Sequence, residues 1–409
     1  MVYDSPSRFS PQVSRLGPAA VDVLDPWESW QRLSGGGPIS TEIDGDGRGC
    51  WYLLDYQQMK SALQNPAVFS SQKDSYKDTS QEFVLLPGEV DPPVHRKYRT
   101  LLNPAFSPGQ VAAREPEIRR ICVELIESFL DRGSCEFMND FAFLYPTSVF
   151  LGMLGLDVRR TTEFVEYTHR FTRPRSASDR RDVEIAIDAS LRELFGERRS
   201  QPRDDLASYL LSCEIDDRPL TDEELLSIGR LLFIAGLDTV AATLGWSFHH
   251  LAIRPQDRTD LAVRPELSST AVEEFLRYYS VITSSRTVAE DTSINGCPMH
   301  AGDSIVIPLA PVNRDASEYE AADQFILDRH PNRHVGFGLG PHRCLGSHLA
   351  RTELRIALEE WLARIPDFSV GHPDWRPEAS GLEPLLGIGL SVPMLSSLPL
   401  SWASTKAAD

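Results

Sequence analysis

Four stretches whose apolar residues return every three to four positions, 111–130, 218–253, 265–279 and 345–365, restrict the chain to folds that bury long helical faces. In the last of them Ala350, Leu354, Ala357, Leu358, Trp361, Leu362 and Ile365 make one stripe, with Arg351, Glu353, Arg355, Glu359 and Glu360 on the polar side. Strand signals are shorter. PISTEI and CWYLLDY, within 38–56, flank the turn cluster DGDGRG and predict a hairpin; a second β-rich patch spans 286–309, with Asn295-Gly296 as a turn and SIVIPL as a strand. Two charged segments between 172 and 206, TRPRSASDRRD and GERRSQPRDD, are expected to be loops flanking a helix. No internal repeat or long biased linker divides the sequence. The expectation is one mainly α domain with small β-sheets over 1–409, loosely ordered at 1–20 and 400–409.

The 409 residues carry 41 basic and 59 acidic side chains, a formal net charge of −18, which argues against a sequence-independent grip on nucleic acid or an anionic membrane. No run approaches the ~18 apolar residues of a membrane span. The N-terminal MVYDSPSRFSPQVSRLG lacks the charged start and apolar core of a secretory signal. The cysteines, Cys50, Cys122, Cys135, Cys213, Cys297 and Cys344, include no CxxC pair, so neither a disulfide framework nor a zinc site is indicated. A soluble, cytoplasmic monomer is expected.

Cys344 stands apart because of its surroundings, GFGLGPHRCLGSHLAR (336–351). Gly338, Gly340 and Gly346 let the backbone turn tightly and approach a flat partner, and Pro341 delays the helix. A helix starting near Cys344 would favour its thiolate through unpaired N–H groups and the dipole. The pattern Phe337-x-x-Gly340-x-His342-x-Cys344-x-Gly346 resembles the haem-thiolate signature of the cytochrome P-450 family. By that resemblance Cys344 is the axial ligand to the iron of haem b (iron protoporphyrin IX), with Phe337 and Gly338 beside it.

Other segments resemble the same family in the same order. LLFIAGLDTVAATLGW (231–246) is similar to its oxygen-activating helix: Ala235 and Gly236 would leave a groove over the haem, and Asp238 with Thr239 would relay protons. Glu274 and Arg277, three apart on one helix face, would join Arg329 in a buried charge network. DPPVHRKYR (91–99) sets His95 and Arg99 at i and i+4, and the resemblance assigns both, with Arg286 and His342, to the haem propionates. NPAVFS (65–70) and SGLEPLLGIGLSVPM (380–394) extend the likeness over nearly the whole chain, which is most similar to the soluble bacterial group that includes camphor hydroxylase. The implied fold holds haem between a long central helix and the cysteine-loop helix.

The implied activity is a monooxygenase that inserts one atom of O2 into a C–H bond of a small to medium hydrophobic substrate. The resemblance places Phe83, Val84, Leu85, Leu231, Ile234, Ile282, Thr283, Leu385 and Leu386 at the substrate pocket. Phe83 replaces a hydroxyl-bearing aromatic of the camphor enzyme, so a terpenoid-like molecule other than camphor comes first, an aromatic or polyketide intermediate second. Nothing resembles a GxGxxG nucleotide unit, so electrons are expected from an acidic ferredoxin with its NAD(P)H-dependent reductase, docked on Arg96, Lys97, Arg343 and Arg351. Two other readings are a peroxide-driven haem-thiolate enzyme, which usually lacks the Asp238-Thr239 pair, and a non-enzymatic haem sensor, which has no need of Thr239.

Overall fold

In a computed structural model, residues 39–43, 48–72, 84–172, 174–372, 379–380, 390–391 and 394–403 are described. The longer helices are α1 (Tyr56–Leu63), α2 (Val94–Leu102), α3 (Pro108–Leu130), α4 (Leu144–Leu154), α5 (Thr161–Thr172), α6 (Ala177–Ser200), α7 (Leu206–Ser212), α8 (Asp222–Ile253), α9 (Pro255–Val263), α10 (Ser268–Tyr278) and α11 (Ser347–Arg364). The largest sheet is built from β1 (Ile39–Ile43), β2 (Arg48–Tyr52), β3 (Phe69–Ser70), β4 (Thr283–Val288), β5 (Ser304–Pro308) and β6 (Leu390–Ser391), in the order β1-β2-β5-β4-β6 with β3 also on β4. The chain is mainly helical with small sheets, as its periodicity predicts.

α8 organises the core. Thr221 accepts from the Glu224 N–H while the Glu224 carboxylate accepts from the Thr221 N–H, and Asp222, Glu223 and Glu224 put negative charge at the positive end of the dipole. Pro255 follows one residue after the C-cap Arg254 and opens α9. The 32 residues span about 48 Å at 1.5 Å per residue. Sequence reading found no membrane-length run, yet α8 has the length and composition of one; 78% of its most apolar window is buried inside the protein. Phe248 packs there against Phe137 and Trp361, and Trp246 stacks on Tyr279, so the apolar surround is other protein.

The hairpins form where their turn residues stand. β1 and β2 pair antiparallel, Ile39 opposite Tyr52, and strands Thr292–Ile294 and Cys297–Met299 join through Asn295 and Gly296, both at positive φ (50° and 80°). Two expectations fail. α6 absorbs about half of each charged segment expected to be a loop: Ser176 caps it by accepting from the Asp179 N–H, and Arg180 lies over the Phe171 ring while pairing with Glu184. Arginine and glutamate are good helix formers, and their charges are satisfied along the helix surface. Nor is 400–403 loose as expected of 400–409. Strand Pro399–Ser401 pairs with Ser369–Val370 and Ser134–Glu136, Leu400 is buried, and the Trp402 indole donates to Leu130 O at 3.0 Å. Residues 1–20 and 404–409 lie outside the described residues.

Glu274 and Arg277 on α10 are fully buried, which sets them apart from ordinary surface i, i+3 pairs. Arg277 Nε and Nη2 donate to the Glu274 carboxylate at 2.8 and 2.7 Å, and Arg329 Nε donates to both its oxygens at 3.1 and 3.0 Å. Both guanidinium groups also donate to main-chain carbonyls, Arg277 to those of Asn313, Ala322 and Gln324, and Arg329 to those of Glu320, Ala321 and Gln324. A stretch with little regular structure is thereby fixed just before the cysteine loop.

Candidate active site

The cysteine loop is shaped by its glycines. Gly338 and Gly340 adopt φ of 69° and 76°, open to glycine at little cost. A Cβ on Gly340 would lie 2.1 Å from Leu63 O, so only glycine lets the loop seat against the end of α1. A Cβ on Gly338 would meet nothing within 4 Å, because that side faces a cavity of about 350 Å³. Cys344 lines this cavity and its N–H donates to Phe337 O at 2.9 Å. α11 begins only at Ser347, three residues beyond the thiol, so the expected dipole effect is outweighed. Burial pushes the Cys344 thiol up from its ordinary value, opposed by the Gly346 N–H and by Arg99, Arg343 and Arg351.

His95, Arg99, Arg286 and His342 line the same cavity. His95 and Arg99 come from successive turns of α2; Arg286 comes from β4, opposite Ile305 of β5; His342 comes from the cysteine loop. The His95 and His342 rings are 4.2 Å apart. Burial lowers His342 to about 3, with Arg286, His95 and Arg99 adding repulsion, and burial lowers Arg286 to about 10. Buried His342 Nε2 has no hydrogen-bond partner among the described residues, and the Asp91 carboxylate is 4.0 Å away. Positive groups and donors thus converge where negative charge is short, a donor set that fits the two carboxylates of a haem.

α8 lines the cavity with Ala235, Gly236 and Thr239. A Cβ on Gly236 would come 3.4 Å from the Phe150 ring, an ordinary contact distance, so an aromatic wall residue from α4 packs close to this turn of α8. Thr239 Oγ1 donates to Ala235 O at 3.2 Å, and Thr243 Oγ1 donates to Thr239 O at 2.9 Å. Asp238 is 5% exposed and does not line the cavity, since successive helical residues point about 100° apart.

The expected pocket is only partly assembled. Leu231 and Ile282 line the cavity. Ile234 instead lines a small separate pocket with Phe171 and Ile187; Val84 is exposed, Leu85 packs in the core, and Thr283 pairs across the sheet with Pro308 and Ser391. Phe83, Leu385 and Leu386 lie outside the described residues. Sequence reading missed Gly88, Phe106, Phe150, Leu309 and Leu339 in the wall, because they reach it from separate elements. It also put Glu353 on the polar face of α11. Glu353 is 2% exposed and lines the cavity; its side chain makes no hydrogen bond or ion pair among the described residues, and burial holds its carboxyl well above the usual range.

Of the four cations assigned to a docking face, Arg96 and Arg343 are exposed. Lys97 is paired with Asp216 at 2.6 Å. Arg351 is held bidentately by Glu273, at 2.6 and 2.8 Å, and stacks over Phe337 at 4.5 Å, which makes it a brace of the cysteine loop.

The cytochrome P450 family profile matches residues 133–370. A probable cytochrome P450 127A1 of Sinorhizobium fredii is 37% identical over 327 residues, covering 80% of this chain and 79% of the relative. A steroid C26-monooxygenase of Mycobacterium tuberculosis is 32% identical over 343 residues, covering 80% of this chain and 91% of the relative. The crystal structure of CYP101J2 superposes with a TM-score of 0.82 at 30% identity, covering 95% of this chain and 94% of that one. The chain belongs to the cytochrome P450 family. It has the P450 fold, a haem-thiolate cofactor and P450 monooxygenase activity.

Proposed function

We propose that the protein inserts one atom of O2 into a C–H bond of a small to medium hydrophobic molecule held in the Cys344 cavity, with Cys344 as the iron ligand. One observation carries this: a single, largely apolar cavity is lined by a cysteine, by four donors or cations suited to carboxylates, and by a helix presenting Thr239. When bound, haem supplies the reductive activation of dioxygen. His95, Arg99, Arg286 and His342 would hold its propionates, and Gly338 would leave room for its face. The Thr239 hydroxyl, now turned back to Ala235 O, holds and passes a proton at Oγ1. Asp238 is buried behind Thr239 and acts on that proton only through intermediaries.

Leu231 and Ile282 face the substrate, and the apolar wall excludes water from it. A terpenoid-like molecule remains the first choice and an aromatic or polyketide intermediate the second; the relative named for a steroid is in keeping with a hydrophobic guest. Electrons come from an acidic ferredoxin and its NAD(P)H-dependent reductase, docking at exposed Arg96 and Arg343. The protein works as a cytoplasmic monomer.

The test is spectroscopic, then functional. The reduced carbon-monoxide complex must show the red-shifted absorption of thiolate ligation, and Cys344→Ser must lose it. Product formation with ferredoxin and reductant excludes a haem sensor. Turnover with peroxide but never with ferredoxin would sink the reading in favour of a peroxide-driven enzyme.

A further inference from the structure

Tyr279, just beyond α10, is 9% exposed and lines the haem cavity. Its hydroxyl lies 2.9 Å from His250 Nδ1, and His250 Nε2 lies 2.9 Å from Asp257 Oδ2. A carboxylate can only accept, so Asp257 fixes the imidazole proton on Nε2 and leaves Nδ1 as an acceptor. The Tyr279 hydroxyl therefore donates to Nδ1. Burial depresses His250, so it rests neutral, while Asp257 stands in place to balance the charge of a second proton. The chain runs from the cavity wall to a side chain that is 28% exposed.

We propose that Tyr279 is a redox-active residue that discharges oxidising equivalents left in the cavity when oxygen activation is not followed by substrate oxidation, with His250 as its proton acceptor. Tyr279 gives one electron to the oxidised centre, and its O–H bond breaks as a new N–H bond forms at His250 Nδ1. A neutral phenoxyl radical then sits beside an imidazolium paired with Asp257. One electron from an ascorbate-class reductant, with the proton returning from Nδ1 to the phenolic oxygen, restores the resting pair.

Two features keep the hole on Tyr279. Loss of the phenolic proton is what makes oxidising a tyrosine accessible, and here the acceptor is already in hydrogen-bond contact. Tyr278, 5.0 Å away, lies under the Arg314 guanidinium at 3.7 Å and near that of Arg277 at 5.6 Å. Positive charge over its ring opposes its oxidation. Trp246 stacks on Tyr279 at 6.1 Å and 9°, so it is the competing site the experiment must separate.

The experiment mixes substrate-free holoenzyme with cumene hydroperoxide, freezes it within milliseconds and records the electron paramagnetic resonance spectrum. A tyrosyl signal is expected in the native protein, narrowed by ring-deuterated tyrosine, retained in Tyr278→Phe and lost in Tyr279→Phe. His250→Gln should shift the high-field g value, which reports the hydrogen bond to the phenoxyl oxygen. Haem bleaching should be faster in Tyr279→Phe. Variants are compared at matched thiolate carbon-monoxide absorption, and the native-protein arms need no variant to fold. A tryptophanyl signal or no protein radical in the native enzyme, a tyrosyl signal surviving in Tyr279→Phe, or an unshifted g value in His250→Gln overturns the proposal.

Discussion

Replacing Glu274 by glutamine tests how the cysteine loop is held in place. The substitution keeps size and shape but removes the one charge shared by Arg277 and Arg329, which are 0% and 7% exposed at their side chains. Both guanidinium groups keep their carbonyl acceptors, yet among the described residues neither then has a counter-ion. Stranding a buried charge by removing its partner costs about 3–5 kcal/mol. Against a typical total stability of about 5–15 kcal/mol, that is a large fraction. The exposed pair Arg120–Glu117, at 51% and 57%, supplies the control, and Glu117→Gln should cost no more than about 1 kcal/mol. Urea unfolding of both variants gives the difference, and haem uptake followed by the thiolate carbon-monoxide band shows whether the loop has kept its shape. Glu274→Gln within about 1 kcal/mol of the native protein, with normal haem uptake, would refute the reasoning.

Further outcomes are expected. Thr239→Ala should keep haem but divert consumed oxygen to peroxide, measured as the ratio of peroxide to product; full coupling would remove Thr239 from proton delivery. Neutralising Arg96 and Arg343 together should slow reduction by ferredoxin at low salt and flatten its salt dependence, whereas neutralising Lys97, already paired with Asp216, should do less. His249 is held by burial at about 4 against 6.5 unfolded, so its contribution is complete above pH 6.5 and is lost as pH falls toward 4. That loss amounts to about 2 kcal/mol by pH 5, and His249→Phe should flatten the stability profile of the apoprotein between pH 7 and 5. Glu353 has the opposite sign for a carboxyl: its raised value makes its contribution complete below the unfolded value of 4.5 and lost as pH rises above it. Glu353→Gln should therefore stabilise the apoprotein more at pH 8 than at pH 5 in denaturant titrations.

Much of this was legible in the sequence. The periodicity of 218–253 marks α8, Asn295-Gly296 marks a hairpin, and the Phe337–Gly346 pattern marks the haem-side loop, because each acts through local backbone geometry. The spacing of Glu274 and Arg277 was visible too, but their burial was not, since spacing on one helix does not say what packs over it. Glu353 shows the same limit from the other side: helical periodicity put it among charged neighbours, and the cavity wall claimed it. Phe150 reached Gly236 only because two distant helices cross there. Local pattern along the chain set the four strongly periodic helical stretches, the hairpin turns and the residue types able to hold a haem. Only the tertiary structure decided which polar groups lost their water, which cations were already paired, and which side chains shared one cavity, because desolvation and pairing depend on neighbours drawn from the whole chain.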